Sequence, residues 1–399
     1  MKNMLIEFVV TDVNSRAVAY KEEKETLSVV ITDGKIEVSV YYDFKEVSLT
    51  LVSEVLTNDK VSVVLLPHRI ELRVNNEVRD EDWPAGNRLF NFGDGIEGDI
   101  KFNISEYVEE ETEQPSVIYT FKNAQGWQPS KDVNVGDCMP YVNDGRYHVL
   151  YLKDRRHHCS KWVLGAHQWE HISTSDFIEW QVHPMAVPIT EWYEGSICTG
   201  SWIKHGDTQY LYYTVRMYDR SPAHICRSIS KDGYHFKKDK DFCFKLSDKY
   251  LGRSVRDPKV ILGDDGLYHM FLTTTLVEAG RGCLAHLVSS DLDEWEELDT
   301  PIYISDDATE PECPDYIKYG GYYYLIFSLK TKAHYMISKS AFDGFKLPEN
   351  PIIPCSSVPK GAVWNGKIVF TGFIPTQGYA GVMTFKTATN DKDGILIFE

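Results

Sequence analysis

The sequence predicts an all-β protein: a five-bladed β-propeller preceded by a small N-terminal β-sandwich-like domain. Three observations carry that expectation. Helical periodicity is nearly absent from the 399 residues. Short β-branched and aromatic runs, such as YHVLYL, QYLYYT, LYHMFLTT and YYYLIFSL, are bounded by Gly, Asp and Asn, the pattern of strands between tight turns. From Asp137 onward, one strand–turn–strand pattern keeps returning.

Residues 1–115 lie outside that repeat. Their runs IEFVVTD, TLSVVIT, KIEVSVYY, VSLTLVS, VSVVLL and RIELRV, separated by polar turns, predict a small antiparallel sandwich. The stretch EYVEEETEQP carries five Glu between Glu106 and Glu113 and reads as a solvated bridge. The propeller is expected over 116–399. Its first two strands recur as Asp137-CMPYVNDGRYHVLYL, TGSWIKHGDTQYLYYT from Thr199, Asp257-PKVILGDDGLYHMFLTT, Glu312-CPDYIKYGGYYYLIFSL and, more weakly, SVPKGAVWNGKIVFTGF from Ser357. A third strand, a turn and an aromatic residue follow each copy: HISTSDFIEW, ICRSISKDGYHF, LVSSDLDEW and MISKSAFDGF. AGVMTFKTAT and GILIFE supply a degenerate last pair. A period of roughly 50–60 residues with four strands per copy is that of a propeller, whose blades bury their faces only by stacking radially.

Composition narrows the partners. Lys and Arg number 42 against 59 Asp and Glu, a formal charge of −17 that repels phosphate backbones and anionic lipid. Nucleic acid and membrane are therefore excluded as the main partner, and a small carbohydrate is expected. No run approaches the ~20 apolar residues of a membrane helix. The N-terminus turns polar without a small-residue cleavage site, and the eight cysteines include no CxxC pair. Buried free thiols and a cytoplasmic location are expected. No phosphate-binding loop, dinucleotide or Gly-x-Ser-x-Gly motif occurs, so no cofactor is expected. The run Asp154-Arg-Arg-His-His-Cys159 reads as a polar loop, because no second cluster accompanies it, and no metal is expected. The sequence carries no signal for an oligomeric state.

Alignment on the turn aromatics Tyr147, Tyr210, Tyr268 and Tyr323 puts Asp137, Thr199, Asp257, Glu312 and Ser357 at one repeat phase. If each chain copy runs outward from the axis, three acids from three blades converge at one mouth of the central funnel. Carboxylates brought together repel one another, and a purely structural chain has little reason to gather three. Their alternative role is as turn formers at strand starts.

His167-Gln-Trp-Glu-His171 through Ser175-Asp176 to Trp180, Gly195-Ser-Ile-Cys-Thr-Gly-Ser201, Arg256-Asp257-Pro258 and Glu312-Cys313-Pro314-Asp315 stand in this order. Together they resemble glycoside hydrolase family 32, the β-fructofuranosidases, over roughly residues 125–375. The family's nucleophile motif, Trp-Met-Asn-Asp-Pro-Asn-Gly, corresponds here to Asn134-Val-Gly-Asp137-Cys-Met-Pro140, with Gly136 for its Asn and Cys138 for its Pro. The resemblance implies a retaining hydrolase of sucrose or short fructo-oligosaccharides. Glycoside hydrolysis needs one carboxylic acid to protonate the leaving oxygen and one carboxylate to attack or to activate water. Asp137 is assigned as nucleophile, Glu312 as acid/base and Asp257 as transition-state stabiliser. Glu312 is expected to be buried among Tyr and Asp side chains, which favours the protonated acid. Arg256 either contacts substrate or holds Asp257 ionised. Trp127, Trp192 and Tyr193 are candidates to stack on sugar, and Cys313 is placed in the substrate pocket. The alternatives are an inverting arabinofuranosidase or xylosidase propeller and a catalytically inactive sugar-binding propeller.

Overall fold

The computed structural model describes residues 3–399 apart from 22–23, 43–46, 67–68, 84–94, 109–113, 156–166, 192, 218, 220 and 243. The chain divides into two compact units. One comprises Met1–Glu113 with Cys159–Ala166 and Ile189–Gly195; the other comprises Gln114–His158, His167–Pro188 and Ser196–Glu399.

The first unit is two antiparallel five-stranded sheets around one core. In order across the first sheet lie Asn103–Glu106, Met4–Val9, Lys60–Leu66, Arg69–Val74 and Glu77–Asp82. Across the second lie Val47–Glu54, Lys35–Tyr42, Lys24–Thr32, Ser15–Lys21 and Gly95–Gly98. Strand residues alternate between faces, so Met4, Ile6 and Phe8 turn inward while Leu5, Glu7 and Val9 do not. Val29, Ile31, Ile36, Val38, Leu49 and Leu51 of one sheet meet Val61, Val63, Leu65, Ile70 and Leu72 of the other in a single apolar cluster. This is a β-sandwich.

The second unit is a succession of antiparallel meanders. The first runs Asn134–Asn143, Arg146–Asp154, Gln168–Thr174 and Glu179–Val182, with Tyr119–Lys122 added at its outer edge. The second runs Glu194–His205, Thr208–Met217, His224–Ser230 and Lys237–Lys238. Arg256–Leu262, Tyr268–Leu276, Arg281–Ser289 and Glu296–Glu297 form the third. Glu312–Tyr319, Tyr322–Leu329 and Lys332–Ser338 form the next. Lys360–Trp364, Lys367–Pro375, Gly381–Asn390 and Leu396–Phe398 close the chain and join the first meander through a Val135–Gly381 pairing.

The turn between third and fourth strands explains the recurring Ser/Thr-x-Asp. The Oδ1 of Asp176 accepts the amides of Ile178 and Glu179, that of Asp232 the amides of Tyr234 and His235, and that of Asp291 the amides of Asp293 and Glu294. The preceding Thr174, Ser230 or Ser289 hydroxyl donates to the same carboxylate. Each acid thus substitutes for backbone partners in a tight turn.

Apolar clusters knit neighbouring meanders. Tyr147, Tyr151 and Trp180 of the first pack with Val369, Phe373 and Met383 of the last. Tyr212 and Ile225 of the second join Met270 and Leu272 of the third. Phe271 and Leu284 meet Leu325 and Phe327, and Tyr324 and Ile326 meet Ile368 and Phe370. The first strands converge: Met139, Gly200, Lys259 and Lys360, each from a different meander, line one cavity of about 270 Å³. Gly200 is required there, because a Cβ would fall 1.8 Å from the Tyr212 carbonyl oxygen. The six cysteines among the described residues carry free thiols.

Candidate active site

Three first strands share one irregularity near their starts, and in two of them it falls just before the residues that line the cavity. Val135 pairs with Lys153 but Cys138 with Tyr151; Arg256 pairs with Thr273 but Lys259 with Phe271; Glu312 pairs with Ser328 but Asp315 with Ile326. Each is a β-bulge, two residues facing one, which re-aims side chains. Asp257 and Cys313 adopt the left-handed backbone there, with φ of 58° and 51°. A non-glycine residue in that region costs on the order of 1–2 kcal/mol, so the surrounding bonds must hold it. Asp257 donates its amide to the Thr214 hydroxyl, and Ser201 spans the Pro258 carbonyl and the Val260 amide.

The acids do not share one repeat phase, as the alignment expected. Asp137 is the second bulged residue of its strand, Asp257 the first of its own, and Glu312 precedes its bulge. The alignment used the turn aromatics, and the hairpins differ in length: Asn143–Arg146 closes a two-residue turn, whereas five residues separate Leu262 and Tyr268.

Asp137 is buried. Its Oδ2 accepts the Thr199 hydroxyl at 2.6 Å and the Cys313 thiol at 3.4 Å; its Oδ1 accepts the Tyr379 hydroxyl at 2.9 Å. Burial and the neighbouring carboxylates hold the Cys313 thiol protonated by pushing its pKa well up. Burial, with Asp137 beside it, does the same for Tyr379. All three partners are thus neutral donors. Cys313 also gives its amide to Asp257 Oδ2 at 3.0 Å, so one residue touches both aspartates.

Arg256 organises the rest. Its guanidinium reaches Glu310 Oε2 at 2.5 Å, Glu312 Oε1 at 2.9 Å and Asp257 Oδ2 at 3.6 Å. Burial opposes its charge, but Asp257, Glu310 and Glu312 outweigh that and push its pKa up. Glu310 is itself held low: burial works against its charge, yet Arg256 and the Thr275 hydroxyl prevail. Glu312 is not buried as expected. Its side chain is 54% exposed, and its partner is a cation rather than tyrosines or aspartates.

Cys313 lies under the acids with its side chain buried. Trp127 stacks on Phe121 at 4.3 Å and meets Tyr151 edge-on, inside the aromatic cluster of the first meander. Tyr193 is half-buried within the short segment grouped with the first unit, and Trp192 lies outside the described residues. Of the Asp154–Cys159 run, residues 156–159 also lie outside them. Asp154 is fully buried and bonds His167 Nε2 at 2.6 Å. Sequence reasoning missed Tyr379 and Glu310. Glu310 carried a signal, since alternate residues of an extended chain share a face and Glu310 and Glu312 flank one proline. Tyr379 sits in a loop of the weakest repeat.

His148, His171 and His183 form a separate buried cluster whose ligand-type atoms all lie within 4.8 Å of one another. Burial first, then mutual repulsion and Arg146, keep the imidazoles neutral, His148 pushed down to about 3. Ser173 bridges the cluster to Arg146, accepting its Nε at 3.0 Å and lying 2.7 Å from His183 Nε2. That guanidinium disfavours a metal cation at this place.

Residues 111–353 match the description "Glycosyl hydrolases family 32 N-terminal domain". The chain belongs to this family. It is similar to a sucrose-6-phosphate hydrolase of Bacillus subtilis strain 168, 29% identical over 195 residues, which are 45% of this chain and 40% of that protein. A probable sucrose-6-phosphate hydrolase of Psychromonas ingrahamii is 28% identical over 236 residues, 53% of this chain and 40% of the relative. The chain therefore spans about 40% of the length of these curated relatives. Among solved structures, fructan 1-exohydrolase IIa of Cichorium intybus superposes with a TM-score of 0.57 at 20% identity, over 69% of this chain and 60% of that one. A GH43 β-xylosidase/α-arabinofuranosidase from a compost microbial metagenome gives 0.53 at 14% identity, over 70% and 98%. These likenesses establish the propeller fold.

Proposed function

We propose that this family 32 chain is a retaining β-fructofuranosidase-like hydrolase of sucrose or short fructo-oligosaccharides. Its propeller has five blades, one per meander. Asp137 attacks the anomeric carbon, Glu312 protonates the leaving oxygen and then activates water, and Asp257 supports the oxocarbenium-like transition state. The observation that carries the reading is the linkage through residues 312 and 313. Cys313 touches both aspartates, and Glu312 beside it shares Arg256 with Asp257. A fixed, buried carboxylate suits a nucleophile, and a solvent-reaching carboxyl suits a group that must exchange its proton. The free thiols support a cytoplasmic location and hence small imported sugars.

The test is a panel of sucrose, sucrose 6-phosphate, 1-kestose, an aryl arabinofuranoside and an aryl xyloside, each with the Asp137→Asn variant beside the unaltered chain. Fructose release that disappears in the variant, by about four orders of magnitude, is expected. Activity confined to the arabinoside or xyloside would transfer the chain to the inverting reading.

A further inference from the structure

Asp137 receives its third donor from a distant part of the chain, and the residue before it has no side chain. The Tyr379 hydroxyl donates to Asp137 Oδ1 at 2.9 Å and accepts the Asp137 amide at 3.2 Å, so it grips the residue from both sides. A Cβ built on Gly136 would lie 2.7 Å from that hydroxyl, and 3.1 Å from both the Cβ and the carbonyl oxygen of Leu152. No real Cβ sits 2.7 Å from an oxygen. The φ of Gly136 is not in the left-handed region, so space, not backbone freedom, is what requires glycine.

The tyrosine is held in turn. Its ring stacks on His167, centroids 5.3 Å apart, and meets Phe373 edge-on at 5.2 Å. His167 is fully buried and anchored at 2.6 Å to the equally buried Asp154. The hydroxyl therefore has little freedom to follow Asp137 if that carboxylate moves, or to retreat from a larger residue at 136.

We propose that Tyr379 is the positioning residue for Asp137 and that position 136 is glycine to admit its hydroxyl. This rests on the reading of Asp137 as nucleophile. The hydroxyl fixes the carboxylate plane, so that Oδ2, shared with Thr199 and Cys313, or Oδ1 itself presents one lone pair to the substrate. Displacement of a reacting group by about an ångström costs on the order of a hundredfold in rate.

The experiment uses the full chain with four changes: Asp137→Asn, Tyr379→Phe, Gly136→Ala and the Gly136→Ala/Tyr379→Phe pair. Sucrose hydrolysis and thermal melting are measured for each. Tyr379→Phe is expected to melt close to the unaltered chain while kcat falls roughly tenfold to a hundredfold and KM changes less than about threefold. Gly136→Ala is expected to lower the melting temperature and the rate on its own, and to lower both much less when Tyr379 is already Phe. A wild-type kcat in Tyr379→Phe, with Asp137→Asn inactive, overturns the positioning role alone. Equal melting losses from Gly136→Ala in both backgrounds overturn the shared-space argument, whatever the activities. Sucrose hydrolysis that survives Asp137→Asn, or is absent from the unaltered chain, overturns the nucleophile reading and the positioning role with it, while the melting cycle still decides whether the two residues compete for space.

Discussion

Asp137 and Glu312 come from equivalent strands of different meanders, yet their surroundings are opposites. Asp137 is buried and held by a hydroxyl, a phenol and a thiol, with no cation in contact among the described residues. Glu312 is more than half exposed and held by one guanidinium. Neutral donors orient a carboxylate without cancelling its charge, which a nucleophile needs as it approaches an electron-poor carbon. A cation at the edge of solvent anchors a carboxyl loosely, so that it can meet a leaving oxygen and then water. Under the proposed roles, the contrast would divide the labour between the two acids before any substrate arrives.

Glu312→Gln breaks the contrast on the exposed side and carries the largest effect here. The amide keeps its size and an acceptor for Arg256 but cannot donate a catalytic proton. Hydrolysis of sucrose is expected to fall by about 10²–10⁴-fold. An aryl fructoside with an activated leaving group needs little protonation and should lose less than about tenfold. Equal losses on both substrates would falsify the acid/base assignment. Melting should scarcely change, because the group is exposed.

Arg256→Met tests the other half. It strips the cation from Asp257 and Glu310, whose side chains are 5% and 19% exposed. Breaking a buried pair by removing one partner costs about 3 kcal/mol or more, since the remaining charges stay desolvated. A lowered melting temperature is therefore expected alongside lost activity, in contrast to Glu312→Gln. An unshifted melting curve would mean that Arg256 serves substrate and not the fold.

Much of this was legible in the sequence, for identifiable reasons. The strand runs and the Ser/Thr-x-Asp turns are local features, and the side chains that make them lie within a few residues of one another. Asp137, Asp257 and Glu312 could be proposed because they lie near the starts of first strands of a repeat and within the motifs that resemble family 32. Their relative offsets could not, since a bulge adds a residue to one strand of a pair and leaves no composition signal. Tyr379 was hidden for a different reason: 242 residues separate it from Asp137, and only the closure of the last meander on the first brings them together.

The histidine cluster sharpens the comparison by separating pH effects on the fold from pH effects on the site. Burial depresses His148 to about 3 and His183 to about 4 from the usual 6.5. The unfolded chain therefore binds protons in that window while the folded chain does not, and stability falls as pH drops. Each histidine contributes about 1.4 kcal/mol per pH unit, fully present above about pH 6.5 and lost progressively towards pH 3–4. Melting curves from pH 8 to 4 should decline below pH 6.5, and a His183→Gln variant should decline less steeply. Site titrations read from rates are then best taken above that pH, where these two histidines no longer make stability depend on pH.

Cys313→Ala is the smallest perturbation and the finest test of how Asp137 is held. Cys313 does two things through different atoms. Its backbone amide serves Asp257 and survives any substitution that keeps the bulge; its thiol serves Asp137 and is lost in alanine. A thiol is a weak donor, and Asp137 Oδ2 retains the shorter bond from Thr199. Activity is therefore expected to fall less than about fivefold, with a melting loss of about 1 kcal/mol from the vacated volume. The left-handed backbone at 313 already strains either residue, so alanine adds little there. Measured beside Thr199→Val, which removes the 2.6 Å bond, the pair ranks the donors on one oxygen. A Cys313→Ala loss as large as that of Thr199→Val would show that the thiol, not the hydroxyl, sets the nucleophile's orientation.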